Sequence, residues 1–221
     1  MTSLKEKLAR GYYAVDYQLD ARIDNLNTLK EWIRTDQTRY TGWPPFVWID
    51  RDGFRPRVTG QDTLSCTIID ESRFSRMHYE RWKASTNGTF SIIRAHDTDC
   101  IEEYQNAIGL VLPVWRIAEL MLHASRMATR FEANTVQFTA RFTGLEGREL
   151  ISAGSNRLLS QGHETGAPDY QQTVLLDAAT IDDGVAAYTD ELLRPFYRLF
   201  ELELPEALVE EEIDKMRASR F

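Results

Sequence analysis

Residues 135–143, Thr-Val-Gln-Phe-Thr-Ala-Arg-Phe-Thr, alternate strictly between polar and apolar side chains. Successive strand residues point to opposite faces, so this run predicts a half-buried antiparallel strand with Val136, Phe138, Ala140 and Phe142 inward. Directly before it, residues 112–131 predict a helix. Pro113 suits its first turn, and no glycine interrupts the remaining turns. A one-sided strand beside a long helix has to bury its apolar face against a neighbouring layer, which restricts the chain to a layered arrangement.

The remaining segments extend that reading. Residues 63–69, 89–94 and 171–177 are strand-like, and Asn87-Gly88 is a turn signal before the second of them. Gly144-Leu145-Glu146-Gly147 turns the chain into a further strand at about 148–159. Residues 70–84 read as one or two short helices, Phe46–Ile49 as a short strand, and Asp52-Gly53 as a turn. Apolar residues at Leu4, Leu8, Tyr12, Val15, Leu19, Ile23, Leu26, Leu29 and Ile33 recur at helical spacing, so residues 3–34 predict a long N-terminal helix that Gly11 weakens. Thr180 to Asp183 resembles a capping box opening a helix to about Phe200 with a kink at Pro195. The tail, acidic then basic, predicts a C-terminal helix. No strand–helix–strand alternation occurs. The expected class is α+β: an antiparallel sheet with helices packed on one face, a long N-terminal helix and a C-terminal helical tail. Residues 1–34 would be a helical arm, 35–204 the α+β domain and 205–221 the last helix.

Composition narrows the function classes. Apolar residues form 43% of the chain, with 5 Trp, 9 Tyr and 10 Phe, which excludes a disordered chain. The net charge of -8 makes a poor whole-body match for nucleic acid and leaves room only for a local basic patch. Two cysteines without a Cys-x-x-Cys pair exclude a zinc ribbon and a disulfide scaffold. The polar start is no signal peptide, and the longest apolar run, Ile108–Val114, is far short of the roughly 20 residues a membrane span needs. A cytoplasmic protein without membrane partners is expected. No nucleotide-binding glycine loop, metalloprotease motif or nucleophile elbow is present, so no catalytic residue, cofactor or metal is assigned.

Two constellations carry candidate chemistry. At about 100° per residue, Arg116, Glu119, His123, Arg126 and Arg130 fall within an arc of about 80° on the helix, beside an apolar arc containing Ile117, Leu120, Ala124 and Met127. One reading is a solvated face laced with ion pairs. The other is a pocket wall, in which Glu119 orients His123 and the arginines, joined by Arg141, hold an anion. Trp115 and Leu122 border the stripe and argue for cover on both sides. The second constellation is Trp43, Pro44, Pro45, Phe46 and Trp48, flanked by Arg39 and Arg51. It is either an aromatic plug or a surface that stacks on a ring or base. The candidate ligand-binding set is therefore Arg116, Glu119, His123, Arg126, Arg141, Trp43 and Trp48.

Residues 39–46 (RYTGWPPF), 80–94 (ERWKASTNGTFSIIR), 112–128 (LPVWRIAELMLHASRMA), 136–150 (VQFTARFTGLEGREL) and 192–202 (LLRPFYRLFEL) together resemble the C-terminal region of bacterial Schlafen/AlbA-type DNA-binding proteins, described as ATP-binding proteins or transcriptional regulators. The resemblance covers about residues 31–204, and none of its motifs is catalytic. The Schlafen/AlbA domain itself, N-terminal in that family, is not found in this sequence. The resemblance implies an isolated C-terminal domain or a standalone relative. Its function would be a non-enzymatic ligand-sensing or protein-interaction module of a DNA-associated regulatory or defence protein. The alternatives are a phosphoester hydrolase or nuclease using His123 and Glu119, and an oligomerising scaffold. The partners expected are a domain or protein with nucleic-acid or nucleotide association, an anionic small ligand and a second copy of the chain.

Overall fold

The computed structural model describes residues 3–36, 39–71, 78–152, 159, 162–205 and 207–219. In chain order the elements are α1 (Leu4–Lys7), β1 (Tyr12–Leu19), α2 (Leu26–Thr35), β2 (Arg57–Thr59), β3 (Thr63–Asp70), β4 (His78–Ser85), β5 (Thr89–Ala95), β6 (Ala107–Gly109), α3 (Leu112–Phe131), β7 (Thr135–Thr143), β8 (Glu149–Ile151), β9 (Asp169–Asp177), α4 (Ile181–Arg198) and α5 (Leu208–Ala218). Short 3-10 turns, Asp97–Cys100 and Glu102–Tyr104, lie between β5 and β6. The class is mixed α+β. A seven-stranded sheet runs in the order β2-β3-β4-β5-β1-β7-β9, and each of its pairs is antiparallel.

The period-two pattern decides which face is core. Tyr13, Val15, Tyr17 and Leu19 of β1 are buried, together with Leu64, Cys66 and Ile68 of β3, Trp82 and Ala84 of β4, Phe90 and Ile92 of β5, and Val136, Phe138, Ala140 and Phe142 of β7. α3 covers this face with Ile117, Met121, Ala124 and Ala128, all fully buried. α4 adds Phe196, whose ring centroid lies 4.5 Å from that of Phe142. Over the β3–β5 half, Phe46 sits edge-on to Trp82 and Phe90 and stacks on His123. The opposite face carries Gln18, Arg81, Lys83, Gln137 and Thr173, with Ile93 and an exposed Leu175 among them, and is mostly polar, as an antiparallel sheet with one wet face should be.

Gly11 and Gly144 mark where the start of β1 passes the end of β7. Both have positive φ, 134° and 64°, and a Cβ on either would run into the other segment's carbonyl, that of Thr143 or of Arg10. Only glycine allows this approach.

Several expectations are corrected. The long N-terminal helix is absent: α1 spans 4 residues, and 12–19 form the strand between β5 and β7. Val15 and Leu19, four residues apart, fit both periods, but α1 ends at Lys7, Gly11 takes a non-helical φ of 134°, and the sheet claims Tyr13, Val15, Tyr17 and Leu19. Residues 78–85 are strand β4 rather than helix, while 72–77 lie outside the described residues. Phe46–Ile49 forms no strand; Phe46 has φ 51°, which breaks an extended run. β8 has 3 residues and pairs in parallel with β6 instead of continuing a hairpin with β7; residues 153–158 of that expected strand lie outside the described residues. The Thr180 hydroxyl bonds to the Asp177 carbonyl and the Tyr188 hydroxyl, so it caps no helical N–H of α4. Among the described residues no helix is long and apolar enough to cross a membrane.

Candidate functional site

α3 packs against the sheet, α4 and α5, and α2 and residues 40–48 lie along its charged stripe, which decides what that stripe does. Arg116 is 9% exposed, Glu119 1% and His123 0%. Charges so placed need partners, and the stripe finds most of them in Asp36, Tyr40 and Thr41. The Glu119 carboxylate accepts the backbone N–H groups of Tyr40 at 2.6 Å and Thr41 at 3.0 Å, and the Thr41 hydroxyl at 2.6 Å. Arg116 donates to Asp97 through Nη2 at 2.8 Å and Nε at 3.3 Å, and also to the Thr41 hydroxyl oxygen. Arg126 Nε reaches both Asp36 oxygens, at 2.9 and 3.0 Å. Arg130 donates to the Trp32 carbonyl at 2.9 Å. His123 Nδ1 lies 2.9 Å from the Tyr17 hydroxyl, and its Nε2 faces Asp36 Oδ2 at 3.9 Å. A proton on Nε2, toward Asp36, leaves Nδ1 to accept from Tyr17.

The electrostatics reflect this packing. Burial pulls the His123 imidazole down to about 3, with Arg126 reinforcing and Asp36 opposing. For Asp97, burial pushes the carboxyl up, but the Arg116 guanidinium more than offsets it and holds the group at about 2. His123 is thus neutral and sealed, while Asp97 and Arg116 form a fixed ion pair.

The structure brings Arg116, Glu119, His123 and Arg126 together along α3. Trp43 is half-buried with its ring centroid 4.2 Å from that of His78, and Trp48 is half-buried against the core. Arg141 lies apart, on the polar face of the sheet, with Nε donating to Gln171 at 2.8 Å.

A second polar cluster adjoins the first. Glu80 on β4 lies directly opposite Arg94 on β5, both on the core face. Arg94 Nε donates to Glu80 Oε2 at 2.7 Å, and His78 Nε2 lies 2.9 Å from the same oxygen. Burial raises the Glu80 carboxyl, yet Arg94 and His78 bring it below the usual range; burial also lowers the His78 imidazole, against the pull of Glu80. Glu80 Oε1 and the Tyr13 hydroxyl have no hydrogen-bond partner among the described residues. A crevice lined by Tyr13, His96, Asp97, Leu112, Pro113 and Arg116 has a cavity volume of about 20 Å3, which accommodates about one water. Sequence reasoning missed Glu80 and Arg94. The signal was the alternation of Glu80, Trp82 and Ala84, hidden because a carboxylate occupies a core position.

Taken together, the two clusters are rich in bound charge and poor in reachable chemistry. Among the described residues no group of three or more His, Cys, Asp or Glu is placed to hold a metal ion. No family model, curated protein or solved structure matches this chain.

Proposed function

We propose that this chain is a non-enzymatic interaction module of a bacterial DNA-associated regulatory or defence protein. One observation carries the reading: Arg116, Glu119, His123 and Arg126 bond to the protein's own Asp36, Tyr40, Thr41, Tyr17 and Asp97. Their charge is spent on holding a segment of the fold. A hydrolase built on His123 and Glu119 would need substrate to reach the imidazole, and His123 is fully buried. The scaffold reading rested on a long first helix, and α1 spans 4 residues. The resemblance of the Gly-Trp-Pro-Pro-Phe, Leu-Pro-Val-Trp-Arg and Gly-Leu-Glu-Gly-Arg segments to Schlafen/AlbA-type proteins supports the DNA-associated context. The partner is then a domain or protein with nucleic-acid or nucleotide association.

The test is turnover. The purified chain is offered phosphomonoesters, phosphodiesters and oligonucleotides with Mg2+ or Mn2+. No hydrolysis above that of His123→Gln is expected. Hydrolysis by the wild type that disappears in His123→Gln or Glu119→Gln, with circular dichroism and melting unchanged, overturns the reading.

A further inference from the structure

The polar face of the sheet has a charge distribution unlike the rest of the chain. Strand register aligns Arg57, Ser65, Lys83, Ser91, Asp16, Thr139 and Thr173 in one row across all seven strands. The next row places Thr67, Arg81 and Ile93 side by side. On β2–β5 the outward positions carry Arg57, Arg81 and Lys83 and no carboxylate, in a chain whose net charge is -8. All three cations are exposed, and none is engaged in an ion pair among the described residues.

Two grooves flank this patch. One, of about 380 Å3, sets Lys83 among the hydroxyls of Thr59, Thr63, Ser85, Thr89 and Ser91. Asp62 stands at its edge, where one carboxylate oxygen accepts from the Thr63 hydroxyl. The other, of about 500 Å3, runs between α1 and the sheet and is lined by Leu4, Leu8, Tyr12, Arg81 and Ile93. Lys83 and Arg81 are two residues apart on β4, so their Cα atoms are about 7 Å apart. Arg57 is two strands from Lys83, about 10 Å away.

We propose that the outer face of β2–β5 binds single-stranded nucleic acid. This goes beyond the module reading, because it gives nucleic-acid contact to this chain rather than to its partner. Phosphodiester oxygens take hydrogen bonds from lysine, arginine and hydroxyl side chains alike; in the first groove Lys83 stands directly opposite Ser91, while Thr63, Ser85 and Thr89 already donate their hydroxyl protons to Asp62 and Gln18. The second groove offers an arginine beside an aromatic and aliphatic wall, the surface on which an unpaired base lies. A duplex keeps its bases inside and would leave that wall unused. An acidic peptide would use the cations, but backbone groups of interior strands are already paired and offer it no ladder.

The experiment is fluorescence anisotropy of a labelled oligothymidylate at about 50 mM salt and above. Binding is expected, with log K falling against log salt at a slope of about -2, three cations at roughly 0.7 each. Arg81→Glu with Lys83→Glu is expected to weaken binding at least tenfold and flatten the slope. Arg81→Gln with Lys83→Gln, which adds no repulsion, should weaken it by a smaller factor. Arg198→Glu, on α4, should leave it unchanged. The proposal is overturned if the wild type does not bind, if the Glu pair or the Gln pair binds as the wild type does with folding intact, or if Arg198→Glu weakens binding equally. Tighter binding of the corresponding duplex, or equal binding of polyglutamate, overturns it as well. Failure here leaves the module reading standing, since that reading falls only to turnover.

Discussion

Tyr17 in β1 and His123 in α3 meet in the interior, with the phenol oxygen 2.9 Å from Nδ1 and neither side chain more than 1% exposed. This polar contact ties the sheet to the helix that covers it, and with the imidazole neutral its Nδ1 accepts from the phenol. His123 is held at about 3, well below its ordinary 6.5, by burial and by Arg126. The unfolded chain therefore takes up a proton that the folded one refuses. Stability from this group is fully present above about pH 6.5 and is lost as pH falls toward about 3, at up to about 1.4 kcal/mol per pH unit. His96, held at about 4 chiefly by burial, acts in the same direction. Denaturant midpoints measured across that window should fall, and more shallowly in His123→Gln. A midpoint flat from pH 6.5 to 4 would contradict it.

Glu119→Ala should free residues 40–41. It removes three hydrogen bonds to a carboxylate and leaves half-buried N–H groups without acceptors, so a loss of about 2–3 kcal/mol is expected. Glu119→Gln, which keeps one acceptor oxygen, should lie between. Hydrogen exchange at Tyr40 and Thr41 reads the local effect; unchanged protection in Glu119→Ala would show that the segment is held otherwise.

The Glu80–Arg94 pair should behave non-additively. Arg94→Met alone leaves a carboxylate with 0% exposure short of its main cation and is expected to cost about 3–5 kcal/mol. Glu80→Leu with Arg94→Met removes both charges and should cost less than Arg94→Met alone. A double variant as unstable as the sum of the two singles would refute the coupling.

Two glycines of one turn should differ. At Gly147, with φ 73° and only a Glu164 carboxylate oxygen 4.0 Å from an added Cβ, alanine is expected to cost about 1 kcal/mol. At Gly144 the Cβ would meet the Arg10 carbonyl and the Gly11 Cα, so a loss of about 3 kcal/mol or more is expected. Thermal unfolding of the two variants decides it; equal melting points would mean that the crossing relaxes.

The legible parts of the fold are those where hydrophobicity and geometry agree. β7 and α3 occupy the predicted residues 135–143 and 112–131, and β3, β5 and β9 agree to within two residues. β1 reads as helix because Tyr12, Val15 and Leu19 follow a helical spacing, while Val15 and Leu19 also satisfy the strand period, and only the sheet's demand for a strand between β5 and β7 resolves the choice. β4 is hidden by Glu80, which occupies a core position that only Arg94 on the next strand makes tolerable. The α3 stripe is legible, with its cover on both sides. What it touches is not, because Asp36, Thr41 and Asp97 come from separate segments whose approach no local pattern encodes. Arg141 groups with the stripe by chemistry, while its strand faces the other way.

The position of β1 has a consequence for how the molecule assembles. It precedes the other strands of this sheet in sequence, yet its two neighbours are β5 and β7, both much later in the chain. β2–β5 can zip up as a meander and take β1 on β5, but the second edge of β1 stays open until β7 has left the ribosome, and β9 adds only after that. Such distant pairings make folding slow and leave strand edges exposed meanwhile. Loss of the first nineteen residues would cut the sheet down its middle, leaving a four-stranded half and a two-stranded half with no strand between them.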